Sequence, residues 1–78
     1  SGKIEISEIS GKTVYFVNDN YIIACFDKDV TDNVIVEIAK KKPYLFVMCD
    51  SSMANDSVAV NFEQIFKSYS PDTSLKIY

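Results

Sequence analysis

The densest group of residues able to do chemistry is Asp27-Lys28-Asp29 with Asp32, and the most suggestively placed is Asp50-Ser51-Ser52. Paired carboxylates can share acid and base roles when their surroundings push their pKa values apart. Asp50-Ser51-Ser52 directly follows an apolar strand-like run, and ligands collect at the carboxyl ends of parallel strands in open α/β sheets. A structural role competes with this, because Asp and Ser after a strand satisfy loose backbone groups and cap the next element. The rest of the inventory is thin. The chain has no His and no Arg, and neither of its two Gly belongs to a glycine-rich phosphate loop. Cys25 and Cys49 both lie in apolar runs without Cys-x-x-Cys spacing. They read as small buried hydrophobes rather than a redox pair or a zinc site. No catalytic, cofactor-binding or metal-binding residue is assigned. Asp50, Ser51 and Ser52 are kept as a structural or partner-contact motif.

These residues need a scaffold, and hydrophobic periodicity supplies one. Lys3 to Ile9 alternates apolar and polar, the signature of a half-buried strand. Ser10-Gly11-Lys12 is a tight turn into Thr13-Val14-Tyr15-Phe16-Val17, a β-branched and aromatic second strand. Asn18-Asp19-Asn20 turns the chain again, and Tyr21 to Phe26 is apolar throughout, as suits a central strand covered on both faces. From there the period changes. Asp29 or Thr31 can cap a helix that runs to about Lys41, with Val34, Ile35, Ile38 and Ala39 on one face and Pro43 stopping it. Tyr44 to Cys49 is a second interior strand. A second helix spans about Asn55 to Ser68, striped by Val58, Phe62, Ile65, Phe66 and Tyr69. Thr73 to Tyr78 closes the chain as a strand. The expected fold is a small α+β domain of order β-β-β-α-β-α-β, with about five strands and two helices. The first three strands form an antiparallel meander, and the strand-helix-strand portions join parallel neighbours by right-handed crossovers. Periodicity leaves open whether the helices share one face of the sheet.

Seventy-eight residues make a single domain, with Ser1-Gly2 read as an expression remnant. A chain this short buries only about 60% of the surface its unfolded form exposes. With 47% hydrophobic residues, five Phe and five Tyr, it has more apolar surface than two helices can hide, and an exposed apolar patch marks an interface. Phe62, Phe66 and Tyr69 are therefore candidates for either core or interface. The net charge of −3 and the lack of Arg argue against binding nucleic acid directly, since that demands a basic face. Lys40-Lys41-Lys42, the one basic run, complements the carboxyl end of the first helix. No apolar run reaches the ~18 residues of a membrane span, and no signal-peptide pattern opens the chain, so a cytoplasmic location is expected.

Four blocks, taken together, resemble a known family. They are Val17-Asn18-Asp19-Asn20-Tyr21-Ile22-Ile23-Ala24-Cys25-Phe26-Asp27; Lys42-Pro43-Tyr44-Leu45-Phe46-Val47-Met48-Cys49-Asp50-Ser51-Ser52-Met53; Asn55-Asp56 with Asn61-Phe62-Glu63-Gln64-Ile65-Phe66-Lys67; and Ser70-Pro71-Asp72-Thr73-Ser74-Leu75-Lys76-Ile77. In this order they are similar to the C-terminal region of the adenine-specific DNA methyltransferases (modification subunits) of bacterial type III restriction–modification systems. The chain departs from that pattern at Met48-Cys49, where the family often carries a basic residue. It also lacks the Asp-Pro-Pro-Tyr motif for the target adenine and the Phe-x-Gly-x-Gly-like segment for S-adenosylmethionine. The resemblance therefore implies a non-catalytic C-terminal domain without a cofactor of its own. Its parent would use S-adenosylmethionine and contact DNA, and its partner would be the same subunit or the restriction subunit. Two other readings compete: a free-standing intracellular interaction domain, and a small hydrolase using Asp50 with Asp27 or Asp29.

Overall fold

The computed structural model describes residues 3–78, so the reading of Ser1-Gly2 lies outside the described residues. The elements are β1 (Ile4–Ile9), β2 (Lys12–Val17), β3 (Ile22–Cys25), α1 (Asp32–Lys40), β4 (Leu45–Met48), α2 (Asp56–Tyr69) and β5 (Ser74–Ile77), with a 3₁₀ turn at Asp50–Ser52 between β4 and α2. They form one five-stranded mixed sheet whose spatial order follows the sequence, β1-β2-β3-β4-β5. The β1–β2 and β2–β3 pairs are antiparallel, while β3–β4 and β4–β5 are parallel. This is the expected α+β order.

Local chemistry explains the joints. The β1–β2 hairpin closes over Ser10 and Gly11, both at positive φ (50° and 81°), the pattern of a two-residue type I′ turn whose twist matches that of the strands. Asn18 and Asp19 take the left-handed region in the next turn (52° and 63°), which Asn and Asp tolerate better than other side chains. Thr31, not Asp29, occupies the N-cap of α1, and its carbonyl rather than its hydroxyl does the capping by accepting from the Val34 and Ile35 amides. Asn55 caps α2 with its side chain, Oδ1 accepting from the Val58 N–H at 3.2 Å.

Two crossovers of one hand, each stepping to the next strand in the same direction, put α1 and α2 on the same side of the sheet. The helices also pack against each other. Between them and the sheet sits the core: Val14, Ile23, Cys25, Phe46 and Met48 from the strands, Val34, Ile35, Ile38 and Ala39 from α1, and Phe62 and Phe66 from α2. The Phe46 and Phe66 rings stack with centroids 5.3 Å apart, fixing α2 over β4.

One expectation fails here. The unbroken apolar runs of β3 and β4 read as strands covered on both faces, yet both helices lie on one face and the other is bare of any element among the described residues. β1 corrects a second. Its alternation reads as half-buried, but its apolar positions Ile4 and Ile6 point to the uncovered side and are 64% and 67% exposed. Its polar Glu5 and Ser7 share the helix side with Phe16 and Val14, their cross-strand partners.

Candidate functional site

The Asp50–Ser52 turn sits where the sequence places it, at the carboxyl ends of the parallel strands β3 and β4. The backbone of Asp50 and Ser52 is tied down on both sides. The Asp50 N–H donates to the Tyr78 carbonyl, the Ser52 N–H donates to the Cys49 carbonyl at 3.0 Å, and the Ser52 carbonyl accepts from the Val30 N–H at 2.9 Å. Three segments are thus fastened at one point: the end of β4, the loop from β3 into α1, and the end of β5. Ser52 is wholly buried, whereas Asp50 and Ser51 are exposed. These contacts give the motif a structural role.

Cys49 joins the same cluster. Its Sγ lies 3.1 Å from the Ser51 hydroxyl, 3.3 Å from the Ser52 hydroxyl and 3.4 Å from the Phe26 carbonyl oxygen. The Ser51 hydroxyl, followed by that of Ser52, stabilises the thiolate and lowers the Cys49 pKa below that of an ordinary thiol. Cys25 behaves oppositely: burial in the core raises its pKa. The reading of both cysteines as inert core residues therefore holds for Cys25 and not for Cys49, which is half-buried and on the side of the sheet away from the helices. Both thiols are free.

The acidic group does not converge on Asp50. Asp27 accepts the Thr13 N–H on its Oδ2 at 2.9 Å, closing the end of the β2–β3 pair. Asp29 stands in a loop at positive φ, and Asp32 opens α1. Among the described residues, no group of three His, Cys, Asp or Glu is arranged to hold a metal ion.

At the opposite end of the parallel strands lies an open cleft of about 730 Å³, lined by Asp19, Tyr21, Lys42, Tyr44, Tyr69 and Asp72 among others. Tyr21 and Tyr44, just before β3 and β4, stack with their rings nearly parallel, with centroids 5.0 Å apart and planes 2° apart. Of the striped residues of α2, Phe62 and Phe66 are buried and belong to the core, and Tyr69 is exposed at the rim of this cleft.

The largest feature is the uncovered side of the sheet. Strand alternation and register build it in rows. One row runs Ile4, Val17, Ile22, Leu45, Ser74; the next runs Ile6, Tyr15, Ala24, Val47, Lys76. A third begins Glu8, Thr13. Phe26 follows β3 on the same side, its ring 6.1 Å from that of Tyr15. Two charges only, Glu8 on β1 and Lys76 on β5, fall within these rows, at opposite edges of an apolar field. None of these residues is among the candidates that spacing singled out. The signal that marks them is the conflict between runs apolar on both faces and only two helices to cover them.

No family model matches the chain, and no curated protein or solved structure was found similar to it. No helix among the described residues is long and apolar enough to cross a membrane.

Proposed function

We propose that this chain is a non-catalytic assembly domain that works by packing its open sheet face against a protein partner. One observation carries the reading: β1 turns Ile4 and Ile6 away from the core between helices and sheet, onto the same face as Tyr15, Val17, Leu45 and Val47. Exposed side chains that served solubility would be polar there, and apolar ones favour a face that another protein covers. The resemblance to type III modification subunits names the setting. The domain would follow the catalytic and target-recognition parts of an adenine-specific DNA methyltransferase and hold modification subunits together or dock the restriction subunit. S-adenosylmethionine chemistry and DNA contact would belong to the parent, and the chain's net charge of −3 suits a surface turned to protein rather than to DNA. A free-standing interaction domain would use the same face, which is why the sequence encoded upstream separates the two readings.

The test is native mass spectrometry of the protein encoded by the full coding sequence, with and without paired Ile6→Lys and Val47→Lys substitutions. The expected result is an upstream region carrying both methyltransferase motifs, an assembled wild-type complex, and loss of a subunit from the variant. An upstream region without those motifs overturns the parentage. Unchanged stoichiometry in the variant overturns the use of this face.

A further inference from the structure

We infer that the occupant of the open sheet face is a second copy of this chain, packed face to face about a twofold axis running along the strands. The inference rests on the assembly reading above and adds the partner and the geometry. Self-packing requires a surface complementary to itself, and twofold symmetry allows two simple ways of laying this sheet on its own copy. An axis between the two sheets, parallel to them and perpendicular to the strands, sets β1 over β1 and β5 over β5. The middle row then meets itself, so Lys76 confronts Lys76 and Glu8 is pressed against Ile4. Like charges opposed at an interface are strongly unfavourable.

An axis along the strands, over β3, gives the opposite result. β1 then covers β5 of the copy, β2 covers β4, and β3 covers β3. Tyr15 meets Val47, Val17 meets Leu45, and Ile22 and Phe26 each meet their own equivalents. The aliphatic stem of Lys76 lies over Ile6 while its ammonium reaches Glu8 of the copy, one row along. Because the two charges sit on opposite edge strands, each dimer makes this contact twice, at both rims. Ala24, the small residue at the centre of the middle row, adds no bulk over β3 between Ile22 and Phe26. The product is a sandwich of two sheets about 10 Å apart with strands aligned within about 30°, a standard way for two sheet faces to bury each other.

Five strands spaced about 4.8 Å apart and three side-chain rows give a flat footprint of roughly 24 by 20 Å per copy. Side-chain relief enlarges the surface removed from water, and the total lies near the lower bound of stable interfaces, about 1,200 Å². A reversible dimer is therefore expected, with dissociation in the micromolar range or weaker.

Sedimentation equilibrium of the 78-residue chain, from low micromolar to near-millimolar concentration, tests this with Glu8→Lys and Lys76→Glu. Both sites are exposed, so each variant should keep the wild-type circular dichroism and melting curve. The wild type is expected to dimerise. Each single variant should dimerise about tenfold or more weakly, as like charges now meet at both rims. An equimolar mixture of the two variants should form a heterodimer, since each rim then pairs one acidic side chain with one basic side chain. A dimer indifferent to both substitutions, or a mixture that fails to associate while the wild type does, overturns the geometry. A wild type monomeric across the whole range overturns the second copy as occupant. The assembly reading is judged apart from this, by the stoichiometry of the full-length protein.

Discussion

Replacing Phe62 with Ala is expected to destabilise the chain by about 3–5 kcal/mol, enough to unfold much of it at room temperature. Phe62 is 2% exposed and belongs to the single cluster between the helices and the sheet. Its neighbour one turn along, Phe66, stacks on Phe46 of β4, so the ring cannot be removed without loosening the contact that seats α2. The cavity has no easy way to collapse, because α2 is held at both ends. Asn55 caps its start, and the Ser70 N–H donates to the Phe66 carbonyl at its finish. Urea unfolding followed by circular dichroism measures the cost. A loss under about 1 kcal/mol would mean that Phe62 is not core and that α2 packs on the sheet in some other way.

A second large effect concerns residues adjacent in sequence and opposite in role. Phe46 and Val47 follow one another in β4, but the first points into the core and the second to the open face. Phe46→Ala is expected to cost about 3–5 kcal/mol, like Phe62→Ala. Val47→Lys, a far more radical change on paper, is expected to alter the stability of the dilute monomer by less than about 1 kcal/mol, as its ammonium can stay in water. The same urea experiment checks both. If Val47→Lys unfolded the dilute chain, the face it occupies would be part of the chain's own core. The pair thus reads out directly whether the sheet is covered on one side or two.

Much of the fold is legible in the sequence because the signals are local. Gly11, the Asn18-Asp19-Asn20 turn and Pro43 punctuate the chain, and the change of period after Phe26 separates the meander from the crossovers. The face chosen by the helices is not local information. It follows from two crossovers of the same hand stepping the same way across the sheet, which is a property of strand order. That is why the double-sided apolar runs of β3 and β4 read as doubly covered strands, although the described residues supply cover for one face only. The alternation of β1 misleads for a related reason: period 2 shows that one face is apolar, and it cannot say which face meets the core. Asp50-Ser51-Ser52 is visible as a motif at a strand end, but its use in fastening β4, β5 and the loop before α1 depends on the Val30 and Tyr78 backbone arriving there from distant parts of the chain.

The uncovered sheet face is, in this reading, built to be covered by protein. Carbene footprinting of the chain, first dilute and then in the assembled protein, addresses that most directly by reading side-chain exposure residue by residue. Ile6, Tyr15, Val17 and Val47 are expected to label readily in the dilute chain and to become protected on assembly, while the exposed Glu63 and Lys67 of α2, beside the groove between α2 and β5, stay unchanged. Equal labelling of the four sheet residues in both states would contradict a role for this face in assembly.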